Sequence, residues 1–183
     1  MSYLRTSSRW IFVLLIGALA GATTIIPMSL ERLTASSSHV LEGAPLAAWS
    51  QWNAQHNLIY TYTRFQVSNS WKGQAPSVVV VKQPGGTVGN TKEKVYGVRY
   101  LRPGEHSVLF LRPSDERDGT LIITGLVQGN FRVRISQTGQ EMVSNGVPEV
   151  SSYSLGSGQV SSFSGNRMRL DELRARVVKA AQQ

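Results

Sequence analysis

Histidines, carboxylates and serines are the side chains from which this sequence could build a catalytic or metal site. The histidines are His39, His56 and His106. No two of them have the i, i+4 spacing with which a helix presents two ligands to a metal, and no Gly-x-Ser-x-Gly nucleophile motif occurs. Asp115, Glu116 and Asp118 lie together, but Arg117 interrupts them and the regular ligand spacing of a calcium loop is absent. We therefore expect no catalytic, metal-binding or cofactor-binding residue, and interpret the acidic cluster as a solvated turn.

A second set of side chains combines positive charge with aromatic rings near the ends of predicted strands. Its members are Tyr60, Tyr62, Trp71, Lys72, Lys82, Arg99 and Arg102. A basic groove with stacking aromatic rings is typical of small β-barrels that bind single-stranded nucleic acid. The export signal described below argues against that ligand, and favours an acidic protein or an anionic component of the cell envelope. We treat these seven residues as a candidate binding surface; the alternative is that the charges only keep the sheet soluble and protect its edges.

Composition excludes several classes of protein. The chain has 183 residues, a net charge of +8, 41% hydrophobic residues and 16% charged residues. This is enough apolar material for one core, and too little charge for a disordered chain. The absence of cysteine excludes disulfide scaffolds, thiolate zinc sites, iron–sulfur clusters and cysteine nucleophiles.

Residues 1–26 have the pattern of an export signal. Arg5 and Arg9 precede an uninterrupted apolar run over residues 10–20, and small residues follow at the spacing that a signal peptidase requires. An uncleaved anchor is the alternative, because the apolar stretch over residues 10–26 approaches the length of a spanning helix. The sequence thus predicts an exported protein, periplasmic or secreted, or one anchored in the inner membrane by residues 10–26.

The periodicity after residue 26 predicts a mainly β domain over residues 29–143. A short helix, capped by Ser29, precedes the first strand. The predicted strands cover residues 39–52, 58–67, 77–81, 95–101, 107–111, 121–127, 131–135 and 141–143. Strands at this regular spacing, with no long helices between them, are typical of a barrel or sandwich.

Two further segments follow the predicted domain. Residues 144–166 are rich in serine and glycine and are interpreted as a flexible linker. If so, the chain should fold without residues from Ser144 onward. Residues 167–183 predict an amphipathic helix with Leu170, Leu173 and Val177 on one face, and the sequence leaves open whether this helix docks.

Several of these motifs occur together in a known family. A strand ending in Trp71-Lys72-Gly73 is followed by a valine strand with Pro84-Gly85-Gly86, and Arg102-Pro103-Gly104 precedes the next apolar strand. In this the chain resembles a group of uncharacterised exported bacterial proteins, similar in layout to the OB-fold barrel of tissue inhibitors of metalloproteinases (TIMPs) and netrin-like (NTR) modules. The resemblance implies an OB-like, five-stranded, partly open β-barrel over residues 29–143, with an N-terminal signal or anchor helix, a short helix before the first strand and a C-terminal helix. It does not imply protease inhibition, because the family's mechanism needs an N-terminal cysteine and this chain has none.

The sequence thus favours an exported, non-catalytic binding module whose partner is another extracytoplasmic protein or an anionic envelope component. Contact with the membrane is expected only through an uncleaved N-terminal segment, and nucleic acid is not expected as a partner. Two alternatives stay open. One is a hydrolytic or hydrolase-associated domain whose site is assembled only in space, and the other is a membrane-anchored structural protein.

Overall fold

The computed structural model of the chain describes residues 24–147, 150–154, 156 and 158–183. The predicted export signal lies outside these residues except for its last three positions. The described part is mainly β and has a C-terminal helix, as the sequence predicts. None of its helices combines the length and the apolar character needed to cross a membrane.

Two α-helices, a 3-10 helix and thirteen strands follow one another along the described chain. They are β1 (Thr24–Ile25), α1 (Leu30–Ala35), β2 (His39–Trp52), β3 (Ile59–Lys72), β4 (Val78–Pro84), β5 (Gly86–Val88), β6 (Thr91–Glu93), β7 (His106–Pro113), β8 (Leu121–Ile123), the 3-10 helix (Leu126–Gly129), β9 (Asn130–Ile135), β10 (Glu141–Ser144), β11 (Ser151–Tyr153), β12 (Val160–Ser162), β13 (Arg167–Arg169) and α2 (Leu170–Ala181). Ser29 caps α1 as predicted, since its Oγ accepts a hydrogen bond from the backbone N–H of Arg32.

Five strands of the largest sheet pair in a closed ring. β2 pairs with β3 and β3 with β4, both antiparallel, and β4 pairs with β8 in parallel. The ring closes through β7, which is antiparallel to both β8 and β2. The other end of β7 pairs with β9, from which β10 and β13 extend the sheet. β5 and β6 form a separate hairpin, and β1, β11 and β12 form a small third sheet.

Alternating side chains of the ring build two cores, one on each face of the sheet. The inner core lies among the ring strands and contains Leu41, Phe65, Val79, Val81, Leu101, Leu109 and Leu111. The outer core lies between the sheet and the two α-helices, and includes Leu33, Val40, Val108, Phe110, Leu173 and Val177. Because β7 contributes to both cores, its apolar run is buried without a break, as the sequence predicts for residues 107–111.

The predicted strand over residues 95–101 is wrong, since no residue of this segment is in a strand. Side chains satisfy its backbone instead. The amide of Gln83 donates to the carbonyl of Arg99 at 2.9 Å and accepts from the N–H of Leu101 at 3.2 Å. Asn130 also donates to the Arg99 carbonyl, at 2.8 Å. With these partners the segment crosses the structure without a neighbouring strand.

Residues 144–166, interpreted above as a linker, contribute ordered structure to the described chain. β11 and β12 pair with each other, and β11 also pairs with β1. Val150 and Phe163 are buried against Ile25 and Val127. The C-terminal helix docks on the outer core, where Leu173 and Val177 are fully buried. This packing does not support the expectation that the chain folds without residues from Ser144 onward.

Glu42 is a buried carboxylate that connects four elements. It lies on β2 and is 5% exposed. Its Oε2 accepts hydrogen bonds from Asn69 at 3.0 Å and Trp71 at 3.2 Å, both on β3, and from Arg174 on α2 at 2.8 Å. Its Oε1 lies 3.1 Å from Nε2 of His106 on β7. The charge is therefore compensated by donors from the sheet and the helix together.

We expect Glu42→Ala to lower the free energy of unfolding by about 3 kcal/mol, because it leaves the buried indole N–H of Trp71 without its acceptor. Urea denaturation checks this. Asp115→Ala is the matched control, because it removes a carboxylate from the exposed ion pair with Arg112 and should change stability little. Equal effects of the two variants would contradict the role given to Glu42.

Leu173→Ala should lower the free energy of unfolding by about 2–5 kcal/mol, because it opens a cavity between α2 and the sheet. Val178→Ala on the same helix is the control, since Val178 is 38% exposed. Thermal unfolding of both variants measures the difference. If α2 did not pack on the sheet, both substitutions would lower the stability by the same small amount.

Candidate functional site

Three of the seven predicted surface residues converge on one cavity at the junction of β4 and β8. This seam cavity has a volume of about 370 Å³, and Tyr60, Lys82 and Arg99 line it. Ile122, Ile123 and Leu126 are among its apolar lining residues, and Arg112, Asp115 and Glu116 add charged groups. The cavity thus combines an apolar wall with charged groups that are largely paired with one another.

Lys82 is the most constrained of these charges. It is 3% exposed, and its Nζ lies 2.6 Å from Glu116 and 3.2 Å from Asp118. The ammonium also lies 4.3 Å from the centre of the Tyr60 ring. Burial by itself lowers the pKa of Lys82, but the hydrogen bonds to the two carboxylates outweigh it, so that the pKa is raised.

The pKa of Asp118, one of these two carboxylates, changes in the opposite direction to the pKa of Lys82. Partial burial raises its pKa, and hydrogen bonds from Thr120 and Lys82 more than compensate, lowering the pKa to about 2. The predicted solvated turn is therefore fastened to the sheet through Lys82. The spacing of the acidic residues did not reveal this, because the partner lies more than thirty positions earlier in the chain.

Arg99 also borders a second cavity, which Arg102 lines as well. We call this the cationic cavity; its volume is about 640 Å³. Its charged lining residues are Lys94, Arg99, Arg102, Arg132 and Arg134. The pKa of Arg99 is lowered to about 10, first by burial and then by the positive charges of Arg132 and Arg134. Positive charge therefore accumulates here, whereas in the seam cavity it is paired.

The other predicted surface residues line neither cavity, although Tyr62 adjoins the seam cavity, since the Nζ of Lys82 lies 5.7 Å from its ring centre. Trp71 is buried in the outer core beneath Arg174, whose guanidinium lies 5.2 Å from the ring centre. Lys72 donates to the carbonyl of Thr34 at 2.7 Å, and so ties β3 to α1. Tyr62 stacks on Trp49 at 5.7 Å. Proximity in sequence placed these residues in one group, and the strands distribute them over several faces.

An open strand edge is a feature that the sequence analysis missed. β2 pairs with β7 only over His39–Gly43. Beyond the bulge at Leu46, residues 47–52 pair with β3 on one side, and on the other side no strand among the described residues pairs with them. We call residues 47–52 the open edge; its sequence, Ala-Ala-Trp-Ser-Gln-Trp, carries no charge.

Two local features explain why the open edge leaves the ring. β7 begins at His106, directly before the partner of Gly43, so that almost no residue of β7 is left to pair with the rest of β2. Pro45 lacks a backbone N–H, and the register with β3 shifts between Pro45 and Ala47, which bends β2 at this point. One face of the hairpin beyond this point is covered by β5, where Gly86 approaches so closely that a Cβ would collide with the hydroxyl of Ser50. The other face carries Trp49, which is 41% exposed.

The three histidines lie on separate parts of the fold. His106 contacts Glu42, His39 lies 3.0 Å from the carbonyl of Gln74, and His56 stacks on Trp52. Within the described ranges, no group of three or more His, Cys, Asp or Glu side chains is placed to hold a metal ion.

The lowered pKa of Asp118 predicts a pH-dependent contribution to stability. The contribution is present above the unfolded-state pKa of about 3.9 and is lost as the pH falls toward about 2. Asp118→Asn should therefore be less stable than the natural chain at neutral pH, and the difference should shrink between about pH 4 and about pH 2. Denaturant midpoints across this range measure it. Asp115→Asn, which breaks an exposed pair in the same loop, is the control; if it behaves identically, the hydrogen bonds of Asp118 with Thr120 and Lys82 are not the cause.

The chain matches no protein-family model, and a search of curated proteins finds no significant match.

Proposed function

We propose that this protein is an exported, non-catalytic binding module built on an OB-type barrel. The closed ring supports the OB assignment. In chain order its strands are β2, β3, β4, β7 and β8. Around the ring the order is β2, β3, β4, β8 and β7, so that the last two strands exchange places. A small closed barrel of five strands in non-sequential order is the architecture of the OB fold. The basic and apolar pattern of residues 1–26 supports export.

The open edge is the observation that carries the binding function. Residues 47–52 present backbone donors and acceptors that no described strand uses. Proteins usually protect such an edge with charged side chains, a covering loop or a proline within it. Here the protecting devices, Pro45 and the bulge at Leu46, stand before the open edge and not within it. An uncharged edge with an exposed tryptophan is suited to accept a further strand.

The partner that fits this edge is an extended segment of another extracytoplasmic protein. Strand addition would satisfy the backbone groups of residues 47–52, and Trp49 would provide an apolar contact on the uncovered face. Because the edge carries no charge, affinity would depend on main-chain hydrogen bonds and apolar contact more than on ionic strength.

A photoreactive phenylalanine analogue at position 49 tests this in the exporting cell. We expect a covalent adduct with one predominant partner, and we expect Ala48→Lys to abolish it, because an edge lysine opposes strand addition. Ala48 is exposed and its side chain points to the face opposite that of residue 49. Thr138→Lys, in an exposed turn, is the charge-matched control and should leave the adduct in place.

The same analogue at position 135 controls for general adhesion, since Ile135 is 74% exposed and lies on β9. The proposal is overturned if positions 49 and 135 give the same adducts, or if Ala48→Lys has no effect on the adduct at position 49.

A further inference from the structure

The cationic cavity carries a charge excess that the fold does not neutralise. Five of its described lining residues are lysine or arginine, and none is aspartate or glutamate. Glu105, which is not part of this lining, forms an ion pair with Arg132 at 2.7 Å. Arg102, Arg134 and Lys94 are exposed, and the Nζ of Lys94 lies 4.8 Å from the ring centre of Tyr96.

Two different segments of the backbone bring these positively charged side chains together. Arg132 and Arg134 alternate with Val133 on β9, so that both project from the same face of the strand. Arg99 comes from the segment that crosses without strand pairing, and its guanidinium is held by Asn130, whose Oδ1 is 2.8 Å from Nη2, and by the carbonyl of Ser144 at 3.4 Å. Arg99 is thus positioned before any ligand arrives, which reduces the entropic cost of binding.

A buried nitrogen of Arg132 that has no described hydrogen-bond acceptor is a second, independent observation in favour of a ligand. The Nε of Arg132 is buried and has no hydrogen-bond partner among the described residues. A buried donor without an acceptor costs free energy, and native structures rarely retain one without a reason. An oxygen atom of an anion in the cavity would provide the missing acceptor.

We propose that the cationic cavity binds a ligand carrying two or more phosphate groups. Guanidinium groups present paired N–H donors that match phosphate oxygens, and such charge-assisted hydrogen bonds are strong. One carboxylate would neutralise a single one of these charges, whereas two phosphate groups would neutralise several. The volume of about 640 Å³ leaves room for a further group beside the phosphates. None of the residues that line this cavity belongs to the open edge, so the site adds a second ligand to the binding function proposed above.

The phosphates could belong to a soluble compound or to a lipid head group, and two probes distinguish these sources. The first is inorganic pyrophosphate, titrated calorimetrically into the full chain. The second is a set of phosphatidylcholine vesicles with or without cardiolipin, a phospholipid whose head group carries two phosphates, used in a sedimentation assay. All variants retain residues 1–26, so that any insertion of this segment into vesicles contributes equally to each.

Arg134→Gln and Arg102→Gln test the site, because both side chains are exposed and their loss should not impair folding. Arg64→Gln is the matched control, since Arg64 is an exposed arginine on β3 outside the cavity. We expect each cavity variant to bind pyrophosphate about tenfold more weakly than Arg64→Gln does. Thermal unfolding of each variant verifies that it is folded.

Each outcome decides the proposal. Selective weakening of pyrophosphate binding by the cavity variants supports a soluble ligand, and selective loss of sedimentation with anionic vesicles supports a lipid head group. Equal weakening by Arg64→Gln would show that only net charge matters and would overturn the site. Absence of binding to both probes would also overturn it. Neither result depends on the photocrosslinking at position 49, so the two proposals can fail separately.

Discussion

The carboxylate of Glu42 is the interaction on which the arrangement of the sheet and the C-terminal helix depends. A buried charge is tolerated only where donors surround it, and its donors come from two strands and a helix. These contacts span the chain from residue 42 to residue 174. Because they can form together only when β3, β7 and α2 are all in place around β2, they select one packing among those that apolar contact alone would allow.

The two cores explain how one sheet organises the molecule. The inner core fills the closed ring, and the outer core is covered by α1 and α2. A ring of five strands encloses little volume, so much of the apolar surface must be buried on the outside. For this reason the C-terminal helix is a structural part of the domain, and Trp71, which appeared from its type to be a binding residue, is a core residue.

Arg99 lies between two cavities whose charges are balanced differently. In the seam cavity Lys82 is held by Glu116 and Asp118, and Arg112 by Asp115. In the cationic cavity five positive groups meet, and among the described residues one of them, Arg132, forms an ion pair, with Glu105. Paired charges stabilise the protein itself, whereas unpaired charges held in place are available to a ligand. The difference arises because acidic residues line the seam cavity and none is among the described residues that line the cationic cavity.

Local patterns accounted for much of the secondary structure. The bounds of β2 agree with the predicted strand, and the serine cap of α1 and the apolar run of β7 were also predicted. In each case the physical cause lies within a few residues: a capping hydroxyl, an alternation of side chains, or a strand covered on both faces. The strand predicted at residues 95–101 failed, because its backbone is satisfied by the distant side chains of Gln83 and Asn130.

By itself, therefore, the sequence determined that the domain is mainly β, where its first helix and principal strands begin, and that it is basic and lacks cysteine. Only the tertiary structure decided which charges are paired, that no described strand pairs with the outer side of the open edge of β2, and that Arg99, Arg132 and Arg134 share one cavity. The physical reason is the separation along the chain over which each kind of interaction acts. Helix capping and strand alternation act between near neighbours, whereas charge pairing and edge exposure depend on segments that meet only when the ring of strands closes.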